Sequence, residues 1–434
     1  MDALPDGVLG HILGFLLAPE AVRTCVLARR WPQLWRFTTG LRVGCRHEDE
    51  QAPVKEHREF LDHLLLRGGS PLDFCEFIFT EFQYDDVPRV NLWFRHVIMC
   101  RVRVLKLHIF SMCYIELDDL PLVSQHLTRL DLHGVVLYSS FLNFSSCLAL
   151  EHLELVECGL LTANKISSKS LKHLSLTCCF LDVFSRVYIY TPSLVSLCLD
   201  DLQGMTPILD IMPSLVKAFV RITEECEDVC AKLSKNTDGG GSSVLLRGLS
   251  QAKSLVLISK LDKVVFKSDL RWCPVFNNLK ALFLNDCWCT PDDFNALVCI
   301  LEHSPDLEKL TLELFCEGPK YKVEMKGSVN LMERPAKISE HLNIVEVKCQ
   351  DVDERVLKVL KFLSTFNICT MKFGLSRDLS FTVTKCKAKV GLNKFVISMT
   401  IISGEWVLQG QRHVWLDLQT RSQASAWAAS WAHG

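Results

Sequence analysis

A chain of 434 residues with 49% hydrophobic and 23% charged side chains carries enough apolar surface to offset the entropy of ordering, which excludes a disordered or collagen-like polymer. Forty-eight lysines and arginines against fifty aspartates and glutamates leave a formal net charge of -2, so no whole-molecule field draws the chain to nucleic acid or to an anionic membrane. The opening MDALPDGVLG is acidic where an export signal is basic, no apolar run approaches the ~18 residues of a membrane span, and twenty scattered cysteines are expected to be reduced thiols. The expected setting is intracellular, in cytoplasm or nucleus. No Cys-x-x-Cys, Gly-x-Ser-x-Gly, Gly-x-x-x-x-Gly-Lys-Ser/Thr or His-Glu-x-x-His occurs, so no catalytic residue, metal or cofactor is expected.

Residues 4–36 read as three short helices. In LPDGVLGHILGFL, Pro5 and Asp6 suit a first turn, and Val8, Leu9, Ile12, Leu13 and Leu16 recur at spacings of three and four. Pro19 and Glu20 open a second helix with Val22, Val26 and Leu27, and Trp31, Leu34 and Trp35 anchor a third. A unit of about forty residues cannot build an independent core, so its apolar stripe must dock on the rest of the chain or be covered by another protein.

Farther along, Leu-x-x-Leu-x-Leu recurs at Leu127-Leu130-Leu132, Leu150-Leu153-Leu155, Leu171-Leu174-Leu176 and Leu194-Leu197-Leu199, with middle leucines 23, 21 and 23 residues apart. A degenerate copy, Val102-Leu105-Leu107, comes first, and the motif returns at Leu279-Leu282-Leu284 and Leu307-Leu310-Leu312. Leu61-Leu64-Leu66 and Leu117-Leu120-Leu122 match the pattern but not the spacing. A period of ~20–29 residues is that of leucine-rich repeats, in which each unit adds one strand to a parallel sheet lining a horseshoe. Cys158, Cys179 and Cys287 hold the Asn/Cys position after the strand, where a buried thiol suits the turn. Between about residues 203 and 278 the pattern weakens to Leu215-Ala218-Val220 and Ala252-Leu255-Leu257, around a Gly/Ser run at 236–243 that reads as an exposed loop. Leu342, Val345 and Val347 then repeat the strand spacing, and Val356, Val359, Leu360 and Leu363 line one helical face.

Taken in order, Leu4-Pro5, Ile12, Leu16, Val26, Arg29-Arg30-Trp31 and Leu34-Trp35 resemble the F-box, and with the repeats behind them the chain is similar to plant F-box/LRR proteins of the FBD-associated type. FLDHLLLRGGSPL, Trp93 and RVRVLKL resemble the segment that joins box to repeats, and His341 to Ile368 resembles the FBD region. Pro32 departs from the basic or polar residue usual there, and SQASAWAASWAHG at the end matches no family pattern. The resemblance implies an α/β fold: a three-helix F-box over 1–43, a connecting segment over 44–100, a leucine-rich-repeat solenoid over 101–329 and an FBD-like strand-helix cap over 330–369. An atypical, poorly packed tail over 370–434 is expected to follow.

What the resemblance implies about function is a substrate-recognition subunit of an SCF-type (cullin-RING) ubiquitin ligase. The box binds a Skp-family adaptor and through it a cullin, while the repeats hold a protein substrate and no nucleophile is supplied by the chain. Leu4, Pro5, Val8, Leu9, Ile12, Leu16, Val26, Leu27, Trp31, Leu34 and Trp35 then divide between box core and adaptor interface, a division the sequence leaves open. A repeat scaffold outside any ligase and a small-molecule-responsive F-box receptor are the alternatives.

On the strand face, outward positions bring up Lys106, His108, Arg129, Asp131, His133, His152, Glu154 and His173. His108 with His133, and His152 with His173, hold equivalent positions in adjacent repeats and are expected about 5 Å apart. With Lys106 and Arg129 they form a candidate grip for an acidic or phosphorylated segment, set against the plainer expectation of solvated polar residues on an exposed sheet.

Overall fold

In a computed structural model the described residues are 4–26, 31–34, 38–45, 53–67, 71–80, 82–111, 114–222, 245–259, 269–270, 272–289, 294–315, 339–349, 354–364, 370–375, 379–385, 395–401 and 409–410. Leu27, Arg29, Arg30, Trp35, the Gly/Ser run and SQASAWAASWAHG lie outside them. The chain forms two compact units, Met1–Asn278 and Leu279–Gly434. Among the described residues no helix is long and apolar enough to cross a membrane.

The first unit opens with α1 (Asp6–Leu13), α2 (Ala18–Arg23) and the short α3 (Trp31–Leu34). The Pro5 carbonyl starts α1 by accepting the Val8 and Leu9 N–H groups, and Glu20 accepts the Leu17 N–H at the head of α2. Leu9, Leu13, Ala21, Trp31 and Leu34 pack into one small core with Leu16 against it. The end of α1 meets the first sheet strand backbone to backbone: a Cβ added at Gly40 would lie 2.6 Å from the Gly14 carbonyl oxygen. Only glycine permits so close an approach.

The sheet of this unit is a parallel ladder laid down in chain order: Gly40–Gly44, Phe74–Phe79, Val104–Ile109, Arg129–His133, His152–Val156, His173–Thr177, Ser196–Asp200, Lys217–Ile222 and Ser254–Ser259. The register stacks equivalent side chains into two buried columns. One runs Leu41, Cys75, Leu105, Leu130, Leu153, Leu174, Leu197, Ala218, Leu255; the other runs Val43, Phe77, Leu107, Leu132, Leu155, Leu176, Leu199, Val220, Leu257. Each fully buried leucine contributes about 1.5–3 kcal/mol by removal from water.

The ladder begins earlier than the leucine spacing indicates. Residues 44–100, expected to be a connector, supply the second strand, and the first opens at Gly40 within the expected F-box. Leu-Val and Cys-Phe fill the two columns there, so no leucine motif marks them. The off-spacing match Leu61-Leu64-Leu66 lies in a helix, α4 (Val54–Arg67), which packs with α5 (Val87–Met99). Asp62 joins the two helices, accepting from Trp93 Nε1 at 2.8 Å and Arg89 Nη1 at 2.7 Å. Between the third and eighth strands short strands take the place of crossover α-helices: Ile115–Glu116, Val135–Val136, Gly159–Leu160 and Phe180–Leu181 form one parallel row, and Lys165–Ser167, Tyr188–Tyr190 and Ile208–Leu209 another.

Four successive strands end in a left-handed residue, Gly134, Glu157, Cys178 and Asp201, with φ of 68°, 50°, 50° and 49°. Each turns its N–H to a carbonyl of the next repeat, at 2.8–3.2 Å. Cys158 and Cys179 follow, fully buried, with thiols 3.5 and 3.4 Å from the carbonyls of Leu132 and Leu155 in the preceding strand. Cys287 does not share that role. It is half-buried in the turn Asp286–Trp288, and Trp288 and Cys289 point inward instead.

In the second unit Ala281–Asn285, Lys309–Leu314, Ile344–Cys349 and Thr370–Leu375 pair in parallel, again in two columns headed by Leu282 and Leu284. The helix Glu354–Ser364 buries Val356, Val359 and Leu363, and Phe362 stacks on Phe294 at 4.5 Å. The sequence assigns no element beyond 369, but the backbone continues through Thr370–Leu375 into antiparallel Leu379–Lys385, Phe395–Ile401 and Gln409–Gly410.

Gly40→Ala is expected to lower the thermal midpoint, with a loss of about 1–3 kcal/mol from the forced displacement of α1. Gly7→Ala, at a helical site with no atom within 4 Å of the added methyl, should instead be neutral or stabilising by up to about 1 kcal/mol. Paired thermal melts of the two variants decide the matter.

Candidate functional site

Two surfaces gather the residues singled out from the sequence. The first is the outer side of the three-helix unit. Leu9, Trp31 and Leu34 are sealed in its core and Leu16 is partly buried, which leaves Leu4, Pro5, Val8, Ile12 and Val26 outside. Val8 and Ile12, one turn apart on α1, are 45% and 47% exposed, and Phe15 just past the helix end is 64% exposed. Leu4 and Val26 are exposed as well, at 39% and 88%. Phe15 was not among the expected contact residues, although it stands seven positions beyond Val8 and so continues the same helical row. Exposed aliphatic and aromatic side chains gathered on a folded unit are the kind of surface on which proteins associate.

The second surface is the outward face of the ladder in the first unit. At its middle position the register runs Arg42, Glu76, Lys106, Asp131, Glu154 across five strands, with charges alternating over the first four. Arg42 pairs with Glu76, and Lys106 Nζ lies 3.8 Å from Glu76 and 3.9 Å from Asp131. Arg129 holds both Asp131 oxygens at 2.9 Å and reaches Glu154 at 2.7 Å. The hydrogen bond to Asp131 raises the affinity of the Arg129 guanidinium for its proton. Asp131, expected to point into solvent, is 4% exposed because these cations and its neighbours cover it. Lys106 and Arg129 are therefore already matched by carboxylates, and an incoming phosphate would have to displace them. The face is an ion-pair ladder rather than a basic patch.

The histidines do meet as pairs. His108 and His133 sit opposite each other with ring centroids 5.9 Å apart, and Phe110 packs on His133 at 4.4 Å. His152 and His173 stack at 4.3 Å with planes 8° apart. Loss of hydration pulls the His152 pKa below the usual histidine range, and His173 and Arg129 add to the effect by repulsion. A neutral stacked imidazole is a poor anion ligand. At the middle position, the strands after Glu154 carry the uncharged Ser175 and Cys198.

At the carboxyl ends of the strands Phe74–Phe79, Val104–Ile109 and Arg129–His133 a groove of about 600 Å³ opens, with Phe82, Phe110, Tyr114, His133 and Glu157 in its wall. Only His133 among these was singled out from the sequence. The aromatics lie in connections between strands, outside the repeating pattern, and only the fold brings them together.

No protein-family model matches the chain. It is 26% identical over 420 residues to an F-box/FBD/LRR-repeat protein of Arabidopsis thaliana, a match covering 87% of this chain and 90% of the relative. An F-box/LRR-repeat protein of the same plant is 28% identical, over 72% of this chain and 92% of its own length. A putative FBD-associated F-box protein, also of Arabidopsis thaliana, is 24% identical across 89% of this chain and 99% of itself.

The stacked pair gives a titration with a defined sign. His152 is expected to lose its proton at lower pH than a free histidine, and His173→Gln should move its midpoint upward by removing one of the repulsive causes. Because the folded pKa lies below the unfolded one, the stability due to neutral His152 is present above the ordinary histidine pKa and is lost as pH falls through the folded value. NMR titration of the imidazole resonances in both proteins measures the shift.

Proposed function

We propose that this chain, which belongs to the plant F-box/LRR proteins of the FBD-associated type, is the substrate-recognition subunit of an SCF-type (cullin-RING) ubiquitin-protein ligase. The observation that carries this reading is the exposure of Val8 and Ile12 on α1, of Leu4 and Phe15 at its two ends and of Val26, in a unit whose own core is filled by other residues. A Skp-family adaptor covers these side chains and links the chain to a cullin. Burying side chains of this size supplies about 1.5–3 kcal/mol each, enough for a few of them to dominate an interface.

In this reading the ladder curves as a leucine-rich-repeat horseshoe inside the cell, and its strand face and edges hold a protein substrate. The chain contributes no nucleophile. Its effect is to raise the local concentration of substrate lysines beside the charged ubiquitin-conjugating enzyme. The Gly14–Gly40 contact matters here, since it fixes the adaptor-bound helices against the first ladder strand and so supports a constant substrate orientation.

Val8→Glu combined with Ile12→Glu is expected to cut capture of a purified Skp-family adaptor by about tenfold or more, while the thermal midpoint stays within about 2 °C. Leu9→Ala, at a buried position, should cost about 2–5 kcal/mol of stability instead. Undiminished adaptor binding by the double variant, in a pull-down with matched protein amounts, would falsify the assignment.

A further inference from the structure

The groove beside His133 has a chemical character different from the ion-pair ladder. Its wall is aromatic: Phe110 packs on His133 at 4.4 Å and meets His108 edge-on at 6.2 Å, and Tyr114, 42% exposed, meets Phe180 edge-on at 5.7 Å. Among the described residues lining it there is no lysine or arginine, and the one carboxylate is that of Glu157. The left-handed turn at Glu157 places this residue at the rim, with its N–H committed to the Thr177 carbonyl at 2.9 Å and its side chain 55% exposed. Other carboxylates of the ladder meet strong cations: Asp131 and Glu154 share Arg129, and Asp200 and Asp201 share Arg221. Glu157 instead faces the His133 imidazole, with Nε2 at 3.6 Å. Aromatic faces bind cations through their ring quadrupole, and a nearby carboxylate adds direct charge complementarity. The Tyr114 phenol pKa is raised first by burial and then by the Glu157 charge, so the field of that carboxylate reaches the aromatic wall.

We infer that this groove binds a cationic side chain, a lysine or arginine in an extended segment of the captured protein, through the faces of Phe110 and Tyr114 and the carboxylate of Glu157. The inference rests on the substrate-receptor reading and specifies the class of segment received. An anionic or phosphorylated segment meets a carboxylate at this groove, and on the strand face it finds Lys106 and Arg129 already engaged.

The test is selection of a random peptide library on the immobilised full chain, followed by fluorescence anisotropy with the selected peptides. The expected result is enrichment of lysine or arginine at one position, with affinity falling about tenfold when that residue becomes glutamine. Glu157→Gln, which keeps the shape of an exposed side chain, should weaken the basic peptide by a similar factor and leave its glutamine version unchanged. Tyr114→Ala should weaken the basic peptide as well. Selection of acidic peptides, selection of none, or full affinity in Glu157→Gln would each overturn the inference. Adaptor capture by the same preparation separates the two ideas: adaptor bound without basic selection defeats the groove alone, and basic selection without adaptor defeats the ligase reading alone.

Discussion

Parallel strands stacked in one register place like side chains over like, and on this the first unit depends. Two buried columns run through the ladder from Leu41 and Val43 to Leu255 and Leu257, and each strand alone would leave its two inward side chains in water. A one-residue slip would exchange buried for exposed side chains along the whole strand, so the columns fix the outward positions as firmly as the inward ones. The ion-pair ladder and the histidine pairs are consequences of that register. Arg42, Glu76, Lys106 and Asp131 lie side by side because Leu41, Cys75, Leu105 and Leu130 do.

The strand ends obey a different constraint. Each turn must leave the sheet and still direct its first N–H to the next repeat, which calls for a left-handed residue. At Gly134 a Cβ would lie 2.1 Å from the Ile109 carbonyl, so glycine is required there, whereas Glu157, Cys178 and Asp201 hold the same left-handed conformation with a side chain. Buried cysteines just beyond satisfy carbonyls of the preceding strand with small, weakly polar donors. Backbone geometry thus governs which side chains reach the edge, and Glu157 arrives at the groove by that route.

Both candidate surfaces divide residues that a sequence pattern leaves merged. On α1 the apolar residues form a band too broad for one small core, and packing sends Leu9 and Leu13 inward and Val8 and Ile12 outward. On the sheet, polar residues of one apparent class separate into neutralised ions, stacked imidazoles and a buried carboxylate. The chemistry open to a partner follows from these pairings rather than from composition.

The periodicity of Leu127 to Leu199 pointed to parallel strands, their order and the pairing of His108 with His133 and His152 with His173, because copies of Leu-x-x-Leu-x-Leu bury their leucines together only when the motifs align, whatever the exact length between them. The three amino-terminal helices were legible from proline positions and threes-and-fours spacing, and the F-box resemblance from residues in order. The early strands at Gly40–Gly44 and Phe74–Phe79 were hidden because cysteine, valine and phenylalanine fill a leucine column equally well once neighbours enclose them. Which α1 residues face outward, which cations are already paired, and the meeting of Phe110, Tyr114 and Glu157 were decided only by tertiary structure. Those outcomes depend on contacts between segments far apart in the chain, and local spacing carries no information about them.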